Sequence, residues 1–443
     1  MSSIELALPD VAARPSLAHA VCDGHLVVEE VDPVLLADSL ETPFVLVSAH
    51  QLLDNANFIG DAFRVQHLSS SLVYPRGLPL PRHYADLLRD DPIYLETSCA
   101  AEIVTFRSQG VFASALVACA SGGPQTIAAA LDSGVDAISL NTAEEAALVA
   151  AAAASRDVAA RCMLRLDREF AGGWWARGLA GPHRLAREAI TVRLDQVATH
   201  PGLRLVGLAV DLGPLVAETE AYLETARLLS RLSDEFASAH GTTLEFIELG
   251  GGMAGEQVTA SGQDGEPLGS QVRHERTWGD YARAIHSALD DRPLGLRVAP
   301  GEGLLAGCSA LFAHLTEARE ADQADSTRRF ALAGQDWLPP GRAARVCSAP
   351  TVIANRASER HDCAHWLCLP HIRSGGGGAQ RHFLRRRLPA TTQAGDLVAF
   401  LDWGLGGNPA AVGDDNVAMT LPALLVDGEC HYSAEASWHR RPR

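Results

Sequence analysis

All 37 basic side chains of this sequence are arginines, and the chain contains no lysine. On an exposed surface the two cations do similar solvation work, and coding bias explains the exchange there. Chemistry that requires a free amine is a different matter. An imine forms on an amine and not on a guanidinium, and the only amine in the chain is the terminal one at Met1. Carboxylates, phenols, thiols and imidazoles remain. Thiols and imidazoles are concentrated in the segment Cys363-Ala364-His365-Trp366-Leu367-Cys368-Leu369-Pro370-His371. Cys363, His365, Cys368 and His371 offer ligand types that zinc or iron accept. Their spacing is not that of a standard finger, and on a strand Cys363 and His365 would share a face that Cys368 leaves. No metal is therefore expected, and these four are the candidates for one. A second signal is Gly250-Gly251-Gly252 directly after Ile247-Glu248-Leu249. Such a loop can turn backbone N–H groups toward an anion, or simply permit tight turns and close packing.

The elements that would position these groups follow from periodicity. From Thr42 to about Gly307, short apolar runs alternate with helical ones. The strand candidates are Ser69–Tyr74, Ile93–Thr97, Ala115–Ala120, Ala137–Asn141, Arg161–Leu166, Leu205–Leu212, Leu244–Leu249 and Leu294–Val298. Helical patterns at Ala100–Gln109, Gln125–Ser133, Ala143–Ala154, Ala221–His240 and Trp278–Leu289 lie between them. Gly134 and Gly241 sit where helices end in a left-handed cap. Eight βα units predict an α/β fold, a (β/α)8 TIM-type barrel over residues 42–308. An open doubly wound sheet is the alternative that periodicity leaves. Residues 1–41 and 309–443 are assigned to a β domain, with strands at Leu397–Leu401, Ala418–Leu421 and Ala423–Val426 and a further one at Leu26-Val27-Val28. The glycine run Gly375–Gly378 and the basic run Arg385–Arg387 read as solvated loops.

Barrel active sites form at the C-terminal ends of the strands. There the sequence places Tyr74, Arg76, Asp211, Glu248 and Glu302, with Asp167 as a further candidate. Tyr74, Arg76, Asp211 and Glu302 are the candidate catalytic groups; Glu248, Gly250, Gly251 and Gly252 are the candidate ligand-binding ones. Neighbouring carboxylates raise one another's pKa, so one of them could act as a general acid or base. The plain alternative is a set of solvated polar residues at a barrel mouth. Trp174-Trp175, in a glycine-flanked stretch, reads as packing or as a cover over a ligand.

Several of these stretches resemble a known family. Thr42-Pro43-Phe44-Val45-Leu46-Val47, Leu95-Glu96-Thr97-Ser98-Cys99-Ala100-Ala101-Glu102-Ile103, Ile247 to Met253, Val298-Ala299-Pro300-Gly301-Glu302, Ala394-Gly395-Asp396-Leu397 and Asp402-Trp403-Gly404 are similar, in order, to motifs of the ornithine, diaminopimelate and arginine decarboxylases. These are the fold type III pyridoxal phosphate (PLP) enzymes, with an alanine-racemase-like barrel. The resemblance runs from about residue 42 to 427. It implies a barrel, a β domain and a dimer whose active sites are built across the subunits. It also implies a Schiff-base lysine, and Tyr74 stands at that place. The family's acid opposite the pyridine nitrogen corresponds to Ala299, and its phosphate-holding arginine corresponds to Glu302. Its ring-stacking histidine and the serine after it correspond to Asp211-Leu212-Gly213-Pro214, its phosphate-binding tyrosine to Gly406, and its cross-subunit cysteine to Val352. No cofactor is expected. Two readings stay open: a pseudoenzyme that pairs with or regulates a related decarboxylase, and a pocket rebuilt for an amino-acid-like or cationic small molecule, metal-assisted in one variant.

A net charge of -17 argues against nucleic acid or an anionic membrane as partner. No apolar run is long enough to span a bilayer. Nine scattered cysteines without scaffold spacing suit a reducing cytoplasm. The chain is expected to act as a homodimer or as a heterodimer with a related decarboxylase. Mixed with PLP and treated with borohydride, the protein is expected to give no adduct on any internal side chain. A peptide map showing one would contradict the reading.

Overall fold

The structure is a computed structural model and describes residues 19–40, 42–66, 69–74, 93–166, 184–212, 218–251, 253, 278–289, 292–305, 307–317, 328–333, 349–368, 383–401, 423–426 and 430–432. The first strands, β1 (His19–Cys22) and β2 (His25–Val28), pair antiparallel around an Asp23–Gly24 turn in which both residues have positive φ. Helix α1 (Pro33–Ser39) starts at Asp32, whose carboxylate accepts from the Val34 and Leu35 amides and removes two of the unpaired N–H groups of the first turn. Next come β3 (Phe44–Ser48) and α2 (Ala49–Gln66).

Eight strands then close a parallel barrel: β4 (Ser70–Tyr74), β5 (Ile93–Thr97), β6 (Leu116–Cys119), β7 (Ala137–Leu140), β8 (Ala160–Arg165), β9 (Leu203–Asp211), β10 (Phe246–Gly250) and β11 (Gly295–Ala299), with β11 hydrogen-bonded back to β4. Helices α3 (Ala100–Ser108), α4 (Pro124–Ser133), α5 (Ala143–Ala154), α6 (Arg184–Ala198), α7 (Thr219–His240), α8 (Trp278–Leu289) and the short α9 (Glu302–Leu305) belong to this unit. Closure excludes the open doubly wound sheet. α4 and α7 end at Gly134 and Gly241, both left-handed, as the sequence predicted.

Strand parity divides the barrel core. Leu72, Leu95, Leu116, Ile138, Leu164, Leu208, Ile247 and Leu296 belong to the large cluster shared with the helices. Val117, Ala137, Met163, Ala209 and Phe246, with Tyr94, form a separate cluster inside the barrel. Adjacent residues on a strand point to opposite sides, so each of β5 to β10 contributes to both. Gly207 stands beside Phe246 in register, and a Cβ there would lie 2.4 Å from the phenyl ring. The phenyl group therefore occupies the space that any larger residue at position 207 would need.

The remaining strands are β12 (Ser309–Glu317), β13 (Arg329–Leu332), β14 (Thr351–Ile353), β15 (Cys363–Cys368), β16 (Phe383–Leu388), β17 (Leu397–Leu401), β18 (Ala423–Val426) and β19 (Cys430–Tyr432). Their sheet runs β16-β15-β13-β12-β3-β18-β19, with β17 also on β12 and β14 on β17. Two segments find their strand partners here, and one sequence assignment changes. Phe44–Ser48 pairs with β12 and β18 and so belongs to this sheet, not to the barrel. Leu26-Val27-Val28 lies in a two-stranded hairpin, although buried Leu26 and Val28 share a core with Phe44, Phe312 and Ala399. Arg385–Arg387 forms part of strand β16, not a loop. The Asp396 of the Ala394-to-Leu397 motif is buried and accepts from Asn355 Nδ2 (2.9 Å), Arg356 Nε (2.8 Å) and the Gln393 amide (2.9 Å), which ties the turn before β17 to the segment after β14.

Gly207→Ala is expected to destabilise the fold by about 1–3 kcal/mol through overpacking against Phe246. Urea denaturation measures it, and an unchanged midpoint would show that the ring can yield.

Candidate functional site

The C-terminal ends of the barrel strands carry two layers of polar side chains. In the deeper one, Arg165 at the end of β8 reaches across the lumen. Its Nη2 donates to Glu96 Oε1 on β5 (2.7 Å) and to Glu248 Oε1 on β10 (2.8 Å). The side chains of Arg165 and Glu248 are 10% and 1% exposed, and Glu96 is 9% exposed. One guanidinium thus joins three strands that are not neighbours in the barrel. Burial makes this ion triad strong and also brittle, because losing one partner strands the others in a low-dielectric interior.

The upper layer is the mouth. Asp211 ends β9 in register with Gly250, and parity turns it inward, two residues after Ala209. A Cβ on Gly250 would lie 3.3 Å from the Ala299 Cβ, so the first glycine lets β10 and β11 approach at this point. Gly251 has a φ of 124°, which favours glycine. Behind the mouth, burial pushes the Tyr222 phenol well above its ordinary range, with Tyr281 and Asp211 adding to the shift. The strand-end loops are pinned locally. Glu102 accepts from the Ser98 amide (2.6 Å), and Glu145 accepts from the Asn141 amide (2.6 Å). Arg193 of α6 donates to the Asn141 and Arg165 carbonyls at 2.6 and 3.0 Å.

The barrel floor holds a second buried arginine. Arg297 lies with its guanidinium carbon 3.6 Å from the Tyr94 ring centroid and 3.4 Å from that of Phe246, and it donates to Asp136 at 2.7 Å. Nearby, Arg161 forks onto both Glu245 oxygens at 2.8 Å and donates to the Asp136 carbonyl.

Among the residues singled out from sequence, Glu248 and Asp211 face the lumen, and Gly250 and Gly251 lie beside them. Tyr74 does not. Its ring shares the helix-side cluster with Leu72 and Leu95, so strand parity carries the phenol away from the mouth. The structure thus sets Tyr74 apart from Asp211 and Glu248, with which the sequence grouped it. Glu302 begins α9 beyond Gly301, and its side chain lies outside the described residues, as do Arg76, Asp167, Gly252, His371, Trp174-Trp175, the glycine run from 375 and the segment from Asp402 to Gly406. Val352 is buried in the β-domain core and pairs with Ala399, so it is not a loop residue offered to another subunit. Cys363, His365 and Cys368 lie on β15, where His365 is buried against Phe330 and burial holds its imidazole below the usual range. Among the described residues no three His, Cys, Asp or Glu side chains are grouped to hold a metal.

Sequence reasoning overlooked Arg165 and Arg297 altogether. Arg165 could have been found: it follows Met163 by two in a strand candidate, which gives both the same face. Arg297 carries the same signal two residues before Ala299.

The residues present do not fit a pyridoxal aldimine. The chain has no side-chain amine, and a methyl group at Ala299 faces the glycine turn.

Residues 81–298 match the family model for the pyridoxal-binding domain of pyridoxal-dependent decarboxylases. Among solved structures, the chain is similar to the diaminopimelate decarboxylase of M. jannaschii in complex with L-lysine, at 15% identity and a TM-score of 0.68, covering 94% of each chain. It is also similar to the Helicobacter pylori diaminopimelate decarboxylase, at 14% identity and a TM-score of 0.65 over 91% and 96% of the two chains. The lysine/ornithine decarboxylase of Vibrio vulnificus complexed with putrescine matches at 15% identity and a TM-score of 0.61 over 90% and 99%.

Arg165→Met keeps much of the side-chain volume and removes the cation between two buried carboxylates. It is expected to destabilise the protein by about 3–5 kcal/mol. Adding Glu248→Gln should recover part of that loss in denaturant titration; no recovery would mean the two side chains are not coupled.

Proposed function

We infer that this chain, which belongs to the fold type III pyridoxal-dependent decarboxylase family, no longer performs the family reaction and works without PLP as a noncatalytic partner or regulator. One observation carries the reading: the barrel keeps its closure and its polar interior, yet the whole chain offers no lysine to form the imine. The neighbourhood agrees. The two carboxylates of the deeper lumen layer, Glu96 and Glu248, are both engaged by Arg165, so neither is presented to a ligand as a free acid or base. Selection that maintains a closed barrel after the reactive amine is gone is selection on shape. A chain of this shape can pair with an intact relative, since the family resemblance implies active sites built across subunits.

A second reading has its own support. Asp211 faces the lumen beside Gly250, where a carboxylate could hold the ammonium group of an amino-acid-like molecule. In that case the pocket has been rebuilt, with Asp211 and Glu302 as its acids and Arg76 as its cation.

Native mass spectrometry of protein purified gently from its own host separates the two. The expected result is a complex with a second, different chain and no bound small molecule. A homodimer carrying a stoichiometric metabolite or metal would overturn the partner reading, and the added mass would identify the ligand.

A further inference from the structure

The outer end of the β sheet carries a feature that the barrel chemistry does not use. Register places Arg329, Trp366 and Arg385 in one row across β13, β15 and β16, with Ala364 opposite Arg387 in the next row. Residues directly opposite share a face, and alternate residues on one strand do too. Arg385, Arg387 and Trp366 therefore lie on the same face of the sheet. Both arginines are exposed and Trp366 is partly so, while the other face buries His365, Leu367, Leu384 and Leu388.

This face gathers positive charge on an acidic molecule. The chain carries a net charge of -17. Arg156, Arg161, Arg165, Arg292, Arg297 and Arg356 each hold an acidic partner. Arg385 and Arg387 meet no carboxylate among the described residues. Charges on an end strand deter edge-to-edge pairing, but that role asks nothing of a tryptophan set between two arginines in a row. Arginine and tryptophan are also the residues that most often anchor protein interfaces.

We propose that this face docks an acidic, extended segment of a partner protein. Alternate residues on a strand stand roughly 6.6–6.8 Å apart. Arg385 and Arg387 thus present two guanidinium forks at the repeat of an extended chain carrying Glu or Asp at every second position, and each fork can take a carboxylate through two hydrogen bonds. Trp366 supplies the flat apolar surface beside them. The proposal names a surface and does not depend on what the barrel mouth does.

The test uses the full-length chain and a fluorescein-labelled peptide of alternating Glu and Ser, followed by anisotropy at about 50 mM and about 300 mM salt, between which surface attraction is strongly screened. Binding is expected at low salt and should weaken at high salt. Arg385→Glu with Arg387→Glu should weaken it at least about tenfold, or ~1.4 kcal/mol, without changing the thermal midpoint. Trp366→Ser should weaken it without changing the salt dependence. No anisotropy change at low salt, or an unchanged affinity in the double variant, would overturn the proposal. So would tighter binding of heparin or an oligonucleotide through the same two arginines, because the face would then be one for phosphate or sulfate polyanions.

Discussion

Deep in a closed barrel an ionised side chain is largely cut off from water, so below the mouth it is stable only beside a counter-charge. This chain meets that constraint with Arg165. Its guanidinium lies between carboxylates from β5 and β10, strands on different sides of the barrel. The mouth is built on this support. The last residues of β8, β9 and β10 hold their positions because the layer beneath them is tied together, and Asp211 and the glycine turn stand on those ends. A buried ion triad is no better for stability than a well-packed apolar group. What it provides is a fixed distance across the lumen.

The floor meets the same constraint by different means. Arg297 is held between two aromatic faces and one carboxylate, and Gly207 is needed to let Phe246 into that stack. Together the two arginines fill the barrel at two levels with side chains of this chain alone. Internal ion pairs therefore brace the barrel at both levels.

Much of the fold could be read from sequence because short apolar runs and glycine caps are local signals. The eight barrel strands lie close to where alternation placed them, and Gly134 and Gly241 end their helices as predicted. Parity was harder. Tyr74 ends its strand at the right height but on the helix side, and one residue along a strand is enough to exchange inside for outside. Phe44–Ser48 falls inside the residue range assigned to the barrel, although it is not among the eight strand candidates, and a short apolar run does not show which of two buried sheets it joins. The lumen arginines were hidden for a different reason. In a chain whose cations are all arginine, residue type alone does not separate a buried arginine from a solvated one.

The place of β3 has a consequence for assembly. The chain lays β3 down before the barrel and β12 after it, and the two pair antiparallel, with Val47 opposite Ser309. In topological terms the barrel is an insertion in the β sheet, a long loop whose two ends must meet before the sheet's central strands can bond. Joining ends so far apart in sequence is slow in a random chain, though the added entropy cost grows only with the logarithm of the loop. A folded barrel brings its own ends together. Closing the barrel first is therefore the shorter route to pairing β3 with β12.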